Sequence, residues 1–399
     1  MAWSLLHHRR MQLKPSRQRI AKTKRYATVI PLTDKEYTMN MNRRRFAAGT
    51  VAAGAALAAP GIARAQTTYR WRMTTTWPAG LPFYQVGPGS AQAFADRVDR
   101  MSNGRIKIQV FAAGELLPAF EGFDAVSSGT VELNHGVSYF WSGKTFAAQY
   151  FATVPFGMSF LGHYAWLNFG GGNQLWEETY RPFNVVPFAA GCSGVQMTGW
   201  FKREIRSLAD LKGIKMRIPG LAGRIYASLG VEVRQLPGGE IFPALERGVI
   251  DAAEFVGPFL DARLGLQNAA KNYYASGWHE PSTVSEIVIQ RKIWDSLPAD
   301  LKEVVRAAAD ATNQEGLFLL EARNADALDL LVAKDRVNVR SLPGDVIKAL
   351  RSVTADVLNE AAKKDAQTRK VHDSFFAFKR KHDKWSEISE ESFLVTSRG

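Results

Sequence analysis

The feature that most constrains the fold is one long stretch of helical periodicity towards the C-terminal end of the chain. No proline lies between Pro298 and Lys334, and apolar residues recur there every three or four positions. A continuous helix of about 37 residues is roughly 55 Å long at 1.5 Å per residue, which exceeds the width of one domain. We therefore expect a helix that runs along two lobes and ties them together, with Gly316 as a position that could break it.

Strand-like and helix-like segments alternate through the rest of the chain. Residues 69–75 and 105–111 alternate like strands, and residues 91–101 between them have helical spacing. Further strand candidates are residues 131–135, 185–189, 214–218, 231–235 and 337–339. This order favours an α/β fold with mixed sheets flanked by helices.

A chain of 399 residues is long enough for two lobes. We predict a first lobe from residues 66–190 with part of 275–330, and a second from 191–274 with part of 331–370. Residues 371–399 form a C-terminal helical segment in this scheme. Lobes joined by crossing segments act as a hinge, and ligand pockets favour such an interface.

The first 65 residues differ in kind from the remainder. Residues 42–46 (NRRRF) precede a run of small apolar residues, and residues 63–65 (ARA) offer a cleavage site. This order is typical of a signal peptide, and the arginines resemble a twin-arginine export signal. A membrane anchor is the alternative, but a run dominated by Ala and Gly is weakly hydrophobic. A signal peptide that started at Met39 or Met41 would have an ordinary length. We therefore expect translation to start at one of these methionines rather than at Met1.

The basic charge of the chain lies mostly in that segment. Residues 1–65 contain 13 Lys and Arg against 2 Asp and Glu, so a formal net charge of +13 falls to about +2 after export. The remaining charge gives no support for nucleic-acid binding. Cys192 is the only cysteine, so an internal disulfide is excluded even in an oxidising compartment.

The motifs of common enzyme classes are missing. The sequence has no HExxH, CxxC, P-loop or GxSxG motif. Five histidines follow the signal segment without metal-ligand spacing, namely His135, His163, His279, His372 and His382. Because no nucleophile and base can be paired, we expect a protein that is not an enzyme.

Two central motifs carry a family resemblance. They are residues 211–219 (LKGIKMRIP) and residues 240–254 (EIFPALERGVIDAAE). Both resemble the central region of the DctP-type solute-binding proteins of TRAP (tripartite ATP-independent periplasmic) transporters. The resemblance extends from about Tyr69 to the C-terminal region. It implies a two-lobed periplasmic binding protein fold and a periplasmic subunit that delivers a small carboxylate to membrane subunits.

Arg217 is the first candidate for binding the ligand. It ends a strand-like run just before Pro219, so its side chain can emerge where a sheet opens to a cleft. A guanidinium is a planar fork that matches a carboxylate and stays charged at working pH. The family's ligand-clamping arginine lies in this motif, which implies the same role here.

Gln196 and Glu254 are candidates for a cation site. An amide oxygen and a carboxylate suit a hard cation such as Na⁺ or Ca²⁺ better than zinc. The family branch that resembles this chain most binds 2-oxo and 2-hydroxy monocarboxylates with a bound cation. That resemblance assigns Gln196, Glu254, the backbone carbonyl of Phe255 and Glu280 to the cation, with Gln196 and Glu280 also close to the ligand.

Aromatic residues are predicted to form the pocket walls. Phe255 stands where the resemblance leads us to expect Trp, so it keeps an apolar wall but loses an indole N–H donor. Tyr139 is expected to add a second wall and a hydroxyl. An aromatic run such as residues 139–141 is also typical of a core.

Several readings stay open at this point. The ligand is expected to resemble pyruvate or lactate, with a dicarboxylate or a sugar acid as the alternative. Two alternatives belong to other functional classes. The protein could be a periplasmic enzyme, or it could be a ligand-binding partner of a sensor. The aromatic and charged C-terminal segment could cover the surface or mediate a homodimer, as the resemblance implies.

Overall fold

A computed structural model describes residues 67–398 of the protein. The predicted signal segment, the cleavage site and the alternative start methionines lie outside these residues. Within residues 67–398, no helix combines the length and apolar character needed to cross a membrane.

Eleven strands in the described chain form two mixed sheets. The strands are β1 (Tyr69–Thr75), β2 (Ile106–Phe111), β3 (Leu133–Gly136), β4 (Val185–Cys192), β5 (Gly199–Phe201), β6 (Lys215–Arg217), β7 (Glu232–Arg234), β8 (Ala252–Ala253), β9 (Asn272–Tyr274), β10 (Val284–Gln290) and β11 (Asn338–Arg340). The first sheet has the order β2-β1-β3-β10-β4, and the second has the order β11-β9-β5-β8-β6-β7. In each sheet one strand that enters from the other lobe, β10 or β5, is antiparallel to its neighbours.

Helices cover both sheets. They are α1 (Ala91–Met101), α2 (Gly122–Ser127), α3 (Gln149–Ala152), α4 (Phe160–Phe169), α5 (Gly172–Tyr180), α6 (Gly220–Ser228), α7 (Gly238–Glu246), α8 (Pro258–Leu264), α9 (Leu266–Ala269), α10 (Arg291–Ser296), α11 (Ala299–Ala333), α12 (Gly344–Ala361), α13 (Ala366–Ser386) and α14 (Ser392–Arg398). Short 3₁₀ turns occupy Ser138–Trp141, Phe146–Ala148, Arg181–Phe183 and Leu208–Leu211, and a π-helical turn at Glu387–Glu391 joins α13 to α14. The α/β architecture with two lobes is therefore confirmed.

The long helix α11 runs without interruption through both lobes. Its 35 residues correspond to about 52 Å. Leu301 and Val305 pack in the core beside the first sheet, whereas Leu320 and Leu331 pack in a core of the second lobe. Gly316 does not break the helix.

The backbone of α11 at Gly316 instead lies in close contact with Gly89 of the first lobe. A Cβ built on Gly89 would lie 2.1 Å from the Cα atom of Gly316. A Cβ on Gly316 itself would sit 3.7 Å from the backbone nitrogen of Cys192, where the chain leaves the first lobe. Gly89 is therefore the position where this close approach requires glycine, because a Cβ there would overlap the α11 backbone, whereas a Cβ on Gly316 would make only ordinary van der Waals contacts.

The chain crosses between the lobes at four places. Residues 193–198 lead from β4 to β5, and residues 275–283 lead from β9 to β10. Helices α11 and α12 make the other crossings, because α12 places Val346 and Leu350 in a second-lobe core and Leu358 in the first-lobe core. The candidate site lies where the two non-helical crossings meet.

Candidate functional site

Parallel strands bring Arg217 and Glu254 together. β6 and β8 run parallel in register, with Arg217 beside Ala253, and Glu254 follows β8 directly. Carboxyl ends of parallel strands meet at one edge of a sheet, which is where ligands bind in open α/β sheets. Both side chains are buried, although each carries an ionisable group.

The guanidinium of Arg217 is largely occupied by the protein. Its Nη1 donates to the backbone oxygen of Glu254 at 2.6 Å and to Glu254 Oε2 at 3.1 Å, while Nε donates to the Leu236 carbonyl at 3.2 Å. Only Nη2 makes no hydrogen bond with the described residues. The expected two-pronged fork is therefore not free in this geometry, and a single N–H remains for a carboxylate.

The two crossing segments supply two more of the predicted residues. Gln196 lies on the first crossing and Glu280 on the second, and the Gln196 backbone N–H donates to the Glu280 carbonyl at 3.1 Å. A Cβ on Gly277 would lie 2.2 Å from the Gln196 carbonyl oxygen, so glycine allows the two segments to touch. The Thr283 hydroxyl donates to the Glu280 carboxylate.

Several polar atoms at this junction lack a partner. Glu254 Oε1 and Gln196 Oε1 are buried and receive no hydrogen bond from the described residues. Burial raises the pKa of Glu254 to about 8, which Arg217 opposes and Asp261 reinforces. Burial and then the Glu254 charge raise the pKa of Glu280 to about 7. A buried set of oxygen acceptors that lacks donors is a chemically suitable place for a hard cation.

His279 is a part of this cluster that sequence spacing did not reveal. Its imidazole is fully buried, with Nε2 at 3.7 Å from Glu254 Oε1, and neither ring nitrogen has a hydrogen-bond partner within residues 67–398. One potential ligand atom from each of Glu254, His279 and Glu280 lies within 4.8 Å of the other two, so the three could hold a metal ion. Burial lowers the pKa of His279 to about 4, so the ring is neutral at physiological pH. Adjacency to Glu280 in sequence was the one available signal.

Asp261 is a second buried acid that the sequence did not single out. Its Oδ1 accepts from the backbone N–H groups of Val256 and Gly257 at 3.1 and 3.0 Å. Its Oδ2 accepts from Trp200 Nε1 at 2.9 Å and from the Tyr273 hydroxyl at 2.8 Å. The carboxylate therefore fixes the backbone just after Glu254 and Phe255.

A small cavity lies beside these groups. Tyr139, Gln196, Arg217 and Phe255 all line it, so four predicted site residues face one space. The Phe255 ring lies with its centroid 5.8 Å from the Arg217 guanidinium carbon. Glu254 and Glu280 are not among the described residues that line this cavity.

The first lobe adds residues that sequence reasoning missed. Thr76, Trp77, Phe83 and Val137 line the same cavity, opposite the second-lobe groups. The Thr76 hydroxyl has no hydrogen-bond partner among the described residues. These residues follow the ends of β1 and β3, and strand ends facing a hinge were the signal that could have identified them.

Comparison with known proteins places the chain among solute-binding proteins. Residues 79–365 match the family described as bacterial extracellular solute-binding protein, family 7. The chain is similar to the monocarboxylate 2-oxoacid-binding periplasmic protein of Nostoc sp., with 44% identity over 324 residues. That alignment covers 81% of this chain and 88% of the relative.

Solved structures of similar proteins contain cations and small carboxylates. A TRAP solute-binding protein from Pseudoalteromonas atlantica with sodium and pyruvate is 37% identical, with a TM-score of 0.79 over 82% of this chain and 99% of that chain. A protein from Colwellia psychrerythraea with calcium and pyruvate has the same identity and TM-score, over 83% of this chain and 100% of that chain. A protein from Bordetella bronchiseptica, a mixed-occupancy dimer with calcium and picolinate, is 36% identical, with a TM-score of 0.80 over 83% of this chain and 99% of that chain.

Proposed function

Because the chain belongs to family 7 of the bacterial extracellular solute-binding proteins, we propose that it captures a small 2-oxo or 2-hydroxy monocarboxylate for a TRAP transporter. Pyruvate-like and lactate-like acids are the expected ligands. The observation that carries this proposal is the pairing of Arg217 with Glu254 beside an unpartnered Gln196 oxygen. Positive charge and buried acceptor oxygens meet there at the wall of the cavity.

The charge inventory of the cavity favours a monocarboxylate. Among the described residues that line it, Arg217 is the one cation, and Glu254 already shares its charge. A second ligand carboxylate would be buried without a counter-charge, which is costly. A dicarboxylate or sugar acid is therefore the weaker candidate. The 2-oxoacid-binding relative and the pyruvate-bound neighbours support the same choice.

A cation held by this chain is part of the proposal. Gln196, Glu254, Glu280 and the backbone carbonyl of Phe255 would hold it, and Na⁺ and Ca²⁺ suit these oxygens. Such an ion would supply the positive charge that the buried carboxylates lack and would polarise the oxygens of the ligand. The sodium and calcium ions in the similar structures support this assignment.

The residues of the chain have separate roles in capture. Arg217 Nη2 is available to donate to a ligand carboxylate, while its Nη1 donates to Glu254 and opposes the rise in the pKa of that carboxyl. Tyr139 and Phe255 enclose the ligand and exclude water, which strengthens each polar contact in the cavity. Tyr139 also packs against Gly220 of the second lobe, where an added Cβ would lie 3.3 Å from the tyrosine Cβ. Closure of the lobes therefore brings this wall onto the site.

Export and assembly complete the proposed role. The family is extracytoplasmic, and a twin-arginine-like signal would deliver the folded protein to the periplasm. The helical C-terminal end exposes large apolar side chains, which are Trp385, Ile388, Phe393 and Val395. Such a surface supports a homodimer. Light scattering tests it, and a monomeric mass at micromolar concentration would remove the dimer from the proposal.

Thermal melting against a panel of carboxylates tests the function. The protein is unfolded and refolded to remove ligand, then heated with pyruvate, lactate, succinate or gluconate, with and without a chelator. A ligand at 100 times its Kd stabilises by about 2.7 kcal/mol, which raises Tm by a few degrees for a chain of this size. Sensitivity to the chelator would favour Ca²⁺ over Na⁺.

Three outcomes distinguish the rival functions. A shift with pyruvate or lactate supports the proposal. A response to succinate or gluconate alone would keep the receptor role and replace the ligand class. Consumption of a ligand during incubation, followed by NMR, would favour an enzyme instead.

A further inference from the structure

Trp77 forms the first-lobe wall of the cavity, and its indole is held from behind. The residue lies just after β1 and is 5% exposed. Its Nε1–H donates to His135 Nδ1 at 2.9 Å, and His135 Nε2 lies 2.7 Å from the Ala190 carbonyl oxygen. His135 is in β3, paired with Thr75, so the sheet itself sets the distance between the imidazole and the indole.

These two contacts fix the state of the imidazole. Nδ1 must be unprotonated to accept from the indole, so Nε2 carries the hydrogen that is donated to Ala190. Burial lowers the pKa of His135 to about 4, which agrees with a neutral ring. The single N–H of Trp77 is therefore used inside the protein. The tryptophan offers the ligand an apolar surface and no donor.

The wall is also supported from its sides. The Phe83 ring packs on the Trp77 ring with centroids 4.9 Å apart, and both residues line the cavity together with Val137. Arg217, Gln196 and the acidic cluster lie on the second lobe and the crossings, so they bind the polar end of a ligand. The substituent at its other end must then face the first-lobe wall.

We propose that Trp77, positioned by His135, is the residue that limits the length of the ligand's substituent and selects a short apolar one. This inference rests on the proposed function, because it presupposes a 2-oxo or 2-hydroxy monocarboxylate bound through its polar end. A one-carbon substituent fits beneath a fixed indole, whereas each added methylene must displace the indole or the cavity wall behind it.

Calorimetric titration of a graded series tests the proposal. The ligands are pyruvate, 2-oxobutyrate, 2-oxovalerate and 2-oxohexanoate, and the quantity compared is the ratio of Kd for 2-oxovalerate to Kd for pyruvate. In Trp77→Leu the wall recedes, and the ratio should fall by about 10-fold or more, since pocket discrimination of a methylene amounts to about 10–200-fold. Trp77→Phe should give a smaller change in the same direction.

The positioning role of His135 has its own variants. His135→Asn retains an acceptor close to the Nδ1 position and should keep the wild-type ratio, whereas His135→Leu has no acceptor and should lower it. His163→Leu is the matched control, because His163 is an equally buried histidine bonded to a backbone carbonyl, at 3.1 Å from Phe151 O, and it does not line the cavity. It should lower Tm and leave the ratio unchanged.

The outcomes separate this inference from the proposed function. If the wild-type protein binds none of the four acids, the proposed function fails. If it binds them and Trp77→Leu and Trp77→Phe leave the ratio unchanged, the size limit lies elsewhere and the inference is overturned. If Trp77→Leu does not fold, Trp77→Phe and His135→Leu decide the same question. Equal ratios in His135→Asn and His135→Leu would remove His135 from the proposal.

Discussion

Asp261 and Glu254 lie seven positions apart on one lobe and are both fully buried, yet they are built differently. Asp261 accepts four hydrogen bonds, two on each carboxylate oxygen. Glu254 accepts from Arg217 on Oε2 and from no described residue on Oε1. Burial raises the pKa of both groups, to about 6 for Asp261 and about 8 for Glu254.

The difference shows how to distinguish a structural acid from a binding one. A raised pKa is common to both and reports only burial. The count of satisfied oxygens separates this pair, because a native structure rarely leaves a buried acceptor without a donor. The count has this meaning only beside the candidate site, since Glu286 Oε2 in β10 is also buried and has no hydrogen-bond partner among the described residues. Asp261 is a closed unit that supports the backbone, whereas Glu254 has one oxygen left for a group from outside the chain.

The largest expected effect comes from removing the positive charge beside Glu254. Arg217→Ala should weaken binding of pyruvate by about 2–5 kcal/mol, since it deletes the ligand's donor and leaves a buried carboxylate unpaired. Titration calorimetry measures it. Arg234→Ala is the control, because Arg234 is the register partner of Arg217 on β7 and is exposed. Undiminished affinity in Arg217→Ala would move the anchor elsewhere.

Substitution of Asp261, whose carboxylate oxygens are all hydrogen-bonded, should lower the stability of the protein. Asp261→Asn replaces one acceptor oxygen by an amide that cannot accept, so at least one buried donor loses its partner. We expect the free energy of unfolding to fall by about 2–4 kcal/mol, measured by urea denaturation. If stability is unchanged while ligand affinity is lost, Asp261 belongs with the binding residues and the comparison breaks.

Substitution of Glu254, which has one carboxylate oxygen without a hydrogen bond, should weaken ligand binding and change stability little. Glu254→Gln keeps the volume and removes the charge, so we expect at least about a 10–100-fold loss of cation-dependent affinity for pyruvate. The urea midpoint of the refolded, ligand-free protein should stay within experimental error of wild type or rise, because an incompletely satisfied buried charge is removed. A large loss of stability would instead make Glu254 a structural acid.

A third buried acid is tested by pH, and its expected effect is the smallest when it is counted per pH unit. Glu286 lies in β10, accepts from Trp141 Nε1 and the Tyr180 hydroxyl, and burial raises its pKa from 4.5 to about 8. Its contribution to stability is present below pH 4.5 and is lost as pH rises towards 8. Glu286→Gln mimics the protonated acid and should remove that slope, which is at most about 1.4 kcal/mol per pH unit. A slope identical to wild type would show that another group titrates.

Much of the fold could be predicted from local pattern. The continuous helix was predicted at residues 298–334 and spans Ala299–Ala333, because periodicity and proline placement are local properties. The strand predicted at residues 231–235 is Glu232–Arg234. The sheet order was beyond local pattern, since β5 and β10 pair with strands of the lobe that they enter after crossing.

The candidate site shows the same limit of local sequence pattern. Arg217, Gln196, Glu254, Glu280, Tyr139 and Phe255 came from motif and resemblance, and their ligand and cation roles stay predictions. Trp77, His135 and Asp261 were missed, because each acts through a contact with a residue at least 12 positions away in sequence. The engagement of Arg217 by Glu254 was also missed, since it requires the register of β6 with β8.

The helix α11 has a mechanical consequence. It packs in a core of each lobe and is continuous between them. The lobes therefore cannot separate along the helix axis without disrupting the helix. Rotation about the junction near Gly316 is the freedom that remains. Gln196 and Glu280 lie on the two non-helical crossings, whereas Tyr139 and Arg217 lie on opposite lobes. A rotation of the lobes would therefore change the separation of Tyr139 and Arg217 and leave Gln196 and Glu280 close to each other.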